Sequence, residues 1–306
     1  SGAAPAGRVS RYSLTLPSGF DVSSIGADVP AVSPDGRRFV YSGADGSLLQ
    51  RNDNDLTAVP IPGAENGWAP VFSPDGSSLA FYTGFPGDLK IVHLTGGSPT
   101  TLVRDSTWAN GAAWSDDGWL YYSARQGTAL MRVRTDGGTP ELVAQADSAA
   151  DELFLAWPSV LPGGRSLLVT LWRKRGTPDV AVLDLASKRR RVLVGGVRGF
   201  LAPTGHLVVL QADGKVVAVP FNPKSFVTGA RSTPLLEGLR VGQLGRTFFN
   251  VSANGTVLYD GSQPVWEVVR VARDGQATVV DPAWNGEFSN VEVSPDGKQL
   301  ALTITV

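Results

Sequence analysis

Two histidines, His93 and His206, are the only imidazoles in the chain, and cysteine is absent. The histidines fall in different repeats and have no carboxylates at metal-site spacing, which favours a structural or surface role for each over metal ligation or general-base catalysis. The lack of cysteine excludes disulfides, thiolate nucleophiles and Cys-ligated zinc or iron–sulfur sites. Chemistry that depends on either residue type is therefore excluded or disfavoured.

Sequence motifs of the common catalytic folds are also missing. The chain contains no Gly-x-Ser-x-Gly nucleophile elbow, no phosphate-binding P-loop, and none of the glycine-rich, His-Arg-Asp or Asp-Phe-Gly motifs of protein kinases. The sequence thus favours a protein without catalytic function.

Carboxylates leave open the alternative that the protein is an enzyme. A cluster of them at the mouth of a channel could hold calcium through oxygen ligands, although no dense Asp-x-Asp-x-Asp loop is present. Such a site would suit a calcium-assisted lyase or hydrolase, and calcium is the one cofactor that the sequence leaves open. The candidate carboxylates are Glu65, Asp88, Asp151, Glu152, Asp213 and Glu287.

Loop tryptophans flanked by amides suggest a binding surface. They recur as Asn-Gly-Trp, Trp-Ala-Asn-Gly and Trp-Asn-Gly, and such groups can stack on a sugar or peptide while the amides form hydrogen bonds. The alternative is that these tryptophans fill the seams between neighbouring structural units. Together with two arginines and two glutamates, they give the predicted ligand-binding set: Asn66, Trp68, Trp108, Asn110, Glu152, Arg198, Arg246, Trp284, Asn285 and Glu287.

A repeated tetrapeptide indicates which elements position these residues. Ser-Pro-Asp-Gly or a weaker copy occurs seven times, at 33–36, 73–76, 115–118, 161–164, 202–205, 252–255 and 294–297. The final glycines lie 40, 42, 46, 41, 50 and 42 residues apart, a period typical of one four-stranded propeller blade. Each copy joins two short apolar segments and has the residue types of a tight turn, so it predicts the hairpin between a blade's first two strands.

The repeat predicts an all-β, seven-bladed propeller that forms one domain over residues 1–306. Third and fourth strands are predicted in most repeats, for example at 89–94, 129–133, 179–183 and 215–219, and at 100–103, 140–143 and 190–194. The last repeat supplies only two strands before the sequence ends. We expect the alternating segment at 8–16 to complete that blade and close the ring.

The Ser-Pro-Asp-Gly turn, followed by an alternating strand and a Leu-Thr-Gly-Gly or Thr-Asp-Gly-Gly ending, resembles the WD40-like repeat of the TolB family. The segments at 8–17, 157–164 and 203–207 are also similar to the propeller region that follows the membrane helix in certain bacterial serine/threonine kinases. These resemblances imply a sensor or interaction module outside the cytoplasm. The implied location is periplasmic or extracellular.

The formal net charge of −1 offers no global attraction for a polyanion. No apolar run is long enough to span a bilayer. We therefore expect neither nucleic-acid binding nor membrane insertion by this segment. The expected partner is a protein, a glycan or another small molecule, bound on the face formed by the loops between blades.

Overall fold

A computed structural model describes residues 29–43, 45–84, 87–107, 110–260, 268–273, 276–281, 284 and 287–305, with backbone alone at 105–107, 287–290 and 304–305. These residues belong to two compact units, one ending at Asp260 and one following it. Almost all of the regular structure is β-strand.

All seven tetrapeptides form the predicted hairpin turn. In each copy the glycine N–H donates to the carbonyl oxygen of the first turn residue, at 2.8–3.1 Å. The glycine has a positive φ in every copy, from 66° at Gly164 to 91° at Gly255, which is the conformation that favours this residue type. In the three Ser-Pro-Asp-Gly copies the serine hydroxyl donates to the carboxylate, as in Ser294 and Asp296 at 2.6 Å. Local turn chemistry therefore explains the repeat.

Four repeats form antiparallel sheets of four strands, connected in simple order. The first contains β1 (Ala31–Val32), β2 (Arg38–Ser42), β3 (Leu48–Asn52) and β4 (Val59–Pro60). The second contains β5 (Gly67–Phe72), β6 (Ser78–Gly84), β7 (Gly87–His93) and β8 (Thr100–Thr107). The third contains β9 (Ala112–Trp114), β10 (Trp119–Ala124), β11 (Ala129–Arg134) and β12 (Glu141–Gln145). The fourth contains β13 (Glu152–Val160), β14 (Ser166–Arg173), β15 (Asp179–Asp184) and β16 (Arg190–Gly195).

The fifth repeat has an outer edge made of two short strands that both pair with its third strand. It contains β17 (Arg198–Leu201), β18 (His206–Leu210), β19 (Val216–Asn222), β20 (Val227–Thr228) and β21 (Thr233–Leu236). The remaining strands form three two-stranded sheets: β22 (Phe249–Val251) with β23 (Val257–Tyr259), β24 (Val269–Val271) with β25 (Ala277–Val279), and β26 (Glu287–Val293) with β27 (Leu300–Thr305).

The hydrophobic core lies in the seams between successive sheets. Each of the five main clusters combines residues of two neighbouring repeats, for example Val40 and Leu48 of the first repeat with Phe81 of the second. The other seams are filled in the same manner. Because one four-stranded sheet cannot bury both faces alone, this stacking is what stabilises the propeller.

The prediction of an all-β propeller is confirmed. Within the described residues, five repeats form sheets of at least four strands, and the predicted total of seven blades stays a prediction. In the same residues, β24 and β25 pair only with each other, and Val271 on β24 is 62% exposed. The turn motif specifies a hairpin and leaves the addition of further strands to packing, so a count of turns does not by itself give a count of complete blades.

The sixth repeat lies directly against the first. The side-chain amide of Asn250 donates to the carbonyl oxygen of Pro30 at 2.6 Å, and the backbone N–H of Asn254 donates to that of Pro34 at 3.2 Å. The predicted closure of the ring by the last repeat stays a prediction. The predicted closing strand at 8–16 lies outside the described residues, and the single-domain assignment for 1–306 stays a prediction.

Candidate functional site

The inner strands of the first six repeats surround one cavity of about 530 Å³. Its walls are the first strand of each repeat, namely β1, β5, β9, β13, β17 and β22. One rim is formed by the second residue of each hairpin turn: Pro34, Pro74, Asp116, Pro162, Pro203 and Ala253. A cavity of this size is typical of small-molecule sites.

The other end of the cavity is defined by the residue four positions before each turn. In chain order these equivalent positions hold Val29, Ala69, Gly111, Trp157, Arg198 and Phe248, of which the first five line the cavity. A strand rises about 3.3 Å per residue, so this end lies about 13 Å from the turns. The six repeats therefore place very different side chains at one equivalent level.

Trp157 is the largest of these residues and fixes this end of the cavity. Its indole Nε1 donates to the carbonyl oxygen of Leu244 at 2.6 Å, and its backbone N–H donates to that of Asn110 at 2.6 Å. The ring lies so close to Gly111 that a Cβ there would be 2.7 Å from Cε3 of the indole. Glycine at this position in the third repeat is what gives the tryptophan its space.

Arg198 occupies the same level in the next repeat and is 5% exposed. Its guanidinium carbon lies 4.5 Å from the ring centre of Trp157 and 4.9 Å from that of Phe200. Nη1 donates to the carbonyl oxygen of Phe249 at 2.8 Å, whereas Nε is buried without a partner in the structure. Burial lowers the pKa of Arg198 to about 9, so the group remains a cation at neutral pH.

A loop around the short 3₁₀ turn Gln243–Gly245 packs against this end of the cavity. Besides the bond from Trp157 to Leu244, the guanidinium carbon of Arg246 lies 5.4 Å from the ring centre of Trp68 in the second repeat. Burial also lowers the pKa of Arg246. The loop thus contacts inner strands of two separate repeats.

Trp68 lies within β5 rather than in the preceding loop. Its indole Nε1 donates to the carbonyl oxygen of Gly84 at 3.3 Å, and its ring packs against Tyr82 with centroids 5.4 Å apart. The ring is also part of the cluster between the second and third repeats, so here the seam-filling interpretation applies. Asn66 is exposed in the turn before β5.

Asn110 and Glu152 are buried but differ in their partners. The Asn110 side-chain amide is 1% exposed and makes no hydrogen bond in the structure. The Glu152 carboxylate accepts from the backbone N–H of Asp147 at 2.7 Å and is paired with Arg190. Glu152 does not line the cavity, and its ion pair joins β13 to β16 of its own sheet.

The other members of the predicted set cannot be placed beside this cavity. Trp108 and Asn285 lie outside the described residues, and only the backbone of Glu287 is described, in β26. Trp284 belongs to the second unit, where its backbone N–H donates to the carbonyl oxygen of Asp281 at 3.2 Å. Among the predicted residues whose side chains the structure describes, Arg198 alone lines the cavity.

The histidines are engaged locally. Nδ1 of His93 lies 2.8 Å from the hydroxyl of Ser78, and Nδ1 of His206 lies 3.1 Å from that of Thr204. Among the described residues, no three His, Asp or Glu side chains come together as metal ligands. Within the same ranges, no helix is long and apolar enough to cross a membrane.

The sequence analysis did not identify Trp157 as a residue of the cavity. The tryptophan is buried in a cluster with Val29 and Ala156. The sequence did contain a sign of this role, because Trp157 and Arg198 both lie four residues before the turn of their own repeat. Only the structure shows that this offset faces the common cavity.

No protein-family model matches the chain, and no curated protein matches it. Solved structures do resemble it. TolB from Acinetobacter baumannii aligns with a TM-score of 0.56 at 17% identity, over 70% of this chain and 55% of that one. A chain of a nidogen–laminin complex gives 0.52 at 16%, over 66% and 79%. Oligogalacturonate lyase from Vibrio parahaemolyticus gives 0.52 at 14%, over 78% and 75%.

At these identities the likeness concerns the fold. The alignment covers little more than half of the length of the TolB chain that this chain resembles. The seven Ser-Pro-Asp-Gly-type hairpins and the radially packed sheets agree with that likeness. We conclude that the chain has the fold of a TolB-like β-propeller.

Proposed function

We propose that this chain is a non-catalytic binding propeller that takes a ligand or a protein segment at its central cavity. The observation that carries the proposal is the cavity itself, which is walled by six repeats and contains a buried arginine beside a tryptophan. A pocket that is mainly apolar, with a few placed polar groups, has the character of a binding site. Its walls are rigid because neighbouring inner strands are held by the seam clusters.

The wider role that we propose is that of a sensor or interaction module in a larger bacterial protein, located outside the cytoplasm. The fold likeness to TolB and to a chain of the nidogen–laminin complex supports protein binding as one form of this role. The kinase-like segments of the sequence support attachment to a signalling protein. A periplasmic or extracellular location agrees with a chain that lacks thiols.

A second candidate, a lyase or hydrolase acting at the channel mouth, is favoured only by the fold likeness to oligogalacturonate lyase. The predicted calcium ligand Glu152 is engaged with Arg190 instead. The two histidines are held by hydroxyl groups of their own repeats. The described geometry therefore gives more support to binding than to catalysis.

Filling the cavity tests the binding proposal. Ser159 lines the cavity and is partly exposed, so Ser159→Trp should occupy the space that a ligand needs. We expect peptides or oligosaccharides from a defined panel to raise the Tm of the unmodified protein progressively with concentration, corresponding to a stabilisation of about 2.7 kcal/mol at a hundred times Kd. The same ligands should not stabilise Ser159→Trp.

The matched control is Val192→Trp, on β16, where the side chain is 48% exposed. This variant should bind like the unmodified protein. Equal binding by Ser159→Trp would place the site elsewhere and contradict the proposal. Mass spectrometry of each ligand after incubation separates the two candidate functions, because an enzyme would return an altered molecule.

A further inference from the structure

Arg198 is a buried cation for which the structure provides no counter-charge. The ion pairs of the described residues involve seven other basic side chains, and none includes Arg198. Its single hydrogen bond, to the carbonyl oxygen of Phe249, uses one of the five N–H groups of a guanidinium. Burying a charge without a charged partner is costly, so such a group is expected to have a reason for its place.

The Nε–Nη2 edge of the guanidinium makes no hydrogen bond within the described residues. Nη1 is bound to Phe249, Nε is unpartnered, and Nη2 makes no hydrogen bond to a described residue. The rings of Trp157 and Phe200 hold the guanidinium plane by cation–π contacts. A planar fork of this kind matches the two oxygens of a carboxylate.

The cavity wall beyond Arg198 is mostly apolar. Towards the turns it presents short aliphatic and proline side chains and the ring of Trp114, together with the polar side chains of Ser115, Ser159, Asn250 and Ser252. The one acidic side chain on the wall, Asp116, lies at the turn rim, five residues or about 16 Å along the strand from the level of Arg198. A ligand here would meet a cation at one end and apolar surface along its length.

A purely structural role explains less of this arrangement. The bond to Phe249 links the fifth repeat to the sixth, but a neutral donor such as glutamine would satisfy the same carbonyl. The charge strengthens that link and the cation–π contacts, but Nε takes no part in either. Positions at the same level in the other repeats carry uncharged residues, so the propeller fold does not require a cation there.

We propose that the central cavity binds a small organic carboxylate, whose carboxylate group pairs with Arg198 and whose apolar body lies along the inner strands. This inference deepens the proposed binding function and rests on it. It names the ligand class: an amphiphilic monocarboxylate small enough for a cavity of about 530 Å³.

Isothermal titration calorimetry with matched probes tests whether binding depends on the ligand's carboxylate group. The probes are hexanoate and 3-phenylpropionate, each compared with its neutral amide, together with inorganic phosphate. At pH 7 we expect at least one carboxylate to bind saturably, its amide to bind about tenfold or more weakly, and phosphate to bind weakly because it lacks the apolar body. Equal affinity for acid and amide, preferential binding of phosphate, or no saturable carboxylate would overturn the proposal.

Substitutions at Arg198 test whether this residue binds the carboxylate. Arg198→Gln should lose carboxylate binding, whereas Arg198→Lys should keep the charge but bind less tightly because it lacks the fork. The control Arg189→Gln removes an exposed arginine of the neighbouring repeat and should bind normally. Unchanged binding by Arg198→Gln would contradict the proposal. Should that variant not fold, the acid and amide comparison on the unmodified protein still decides.

The two proposals fail in different ways. Suppose that a neutral ligand or a peptide stabilises the unmodified protein but not Ser159→Trp, and that it binds Arg198→Gln equally well. This result would support the binding function and overturn the proposal that the ligand is a carboxylate.

Discussion

At the scale of single residues, the repeated turn depends on one acidic side chain that several hydrogen bonds hold in its charged form. Asp75 accepts from the hydroxyl of Ser73 and from the backbone N–H and hydroxyl of Ser77. These bonds lower the pKa of Asp75 to about 2. In the sixth repeat Asn254 accepts the equivalent bonds from Ser252 and Thr256 without a charge, so the amide also fits the turn.

We predict that Asp75→Asn preserves the fold and removes part of its acid sensitivity. The carboxyl has a lower pKa when folded than when unfolded, so its contribution is complete above about pH 4 and is lost as the pH falls towards 2. Since Asp75 is exposed, we expect less than about 1 kcal/mol. Urea unfolding at pH 7 and at low pH measures the difference between the two proteins. A difference that does not shrink in acid would contradict this account.

At the scale of elements, the inner strands of the second and fourth repeats share an irregularity. The register of β5 shifts between Trp68 and Val71, and that of β13 shifts between Ala156 and Ser159. In each shift a residue with positive φ precedes a proline, Ala69 at 47° and Trp157 at 49°. Such a φ is strained for a residue with a Cβ. This strain is part of what turns Trp157 across the end of the cavity.

The bulge can be tested with two buried alanines of the second repeat. Ala80→Gly, in regular β6, should cost about 1–2 kcal/mol through strand propensity and a lost methyl group. Ala69→Gly loses the same methyl group but relieves the positive φ, so we expect a cost below about 0.5 kcal/mol. Midpoints of urea unfolding at equal m values provide the comparison. Equal losses at both sites would show that the bulge stores no strain.

The sequence predicted the hairpins well because each turn is specified by its own four residues. It also predicted the third and fourth strands of most repeats, where alternation is clear. The bulges at Ala69 and Trp157 left no such signal, since Pro70 and Pro158 favour an extended conformation in the residue before them. Trp68 packs on Tyr82, which accounts for this one tryptophan within the fold, and the binding role of the tryptophan-and-amide pattern stays a prediction.

At the scale of the whole molecule, the contact between the first and sixth repeats brings together residues far apart in the chain. The side-chain amides of Asn250 and Asn254 donate to the carbonyl oxygens of Pro30 and Asp35. The rings of Tyr41 and Phe248 lie 6.5 Å apart in the same seam. Repeat spacing could not reveal this contact, because a count of turns does not say which sheets are neighbours.

We predict that the double variant Asn250→Ala, Asn254→Asp loosens this seam by about 1–3 kcal/mol, since each lost seam bond is worth about 0.5–1.5 kcal/mol and an aspartate at 254 can still accept the turn bonds from Ser252 and Thr256. Hydrogen exchange should accelerate in β1 and β22 and change little in the seam between the third and fourth repeats. The control Asn222→Ala removes an amide that bonds only within its own repeat, to Lys224 and Ser225. Unchanged protection of β1 and β22 would show that these two amides do not hold the seam.

The level that carries Val29, Ala69, Gly111, Trp157, Arg198 and Phe248 has a consequence for engineering. Ala69 and Phe248 also pack in seams between repeats, whereas Val29, Gly111, Trp157 and Arg198 line the cavity and lie outside the five main seam clusters. The positions that contact a ligand are therefore largely distinct from those that hold neighbouring sheets together. Randomising positions 29, 157 and 198 on an unchanged backbone should yield propellers with new ligand preferences, with Gly111 retained wherever Trp157 is kept.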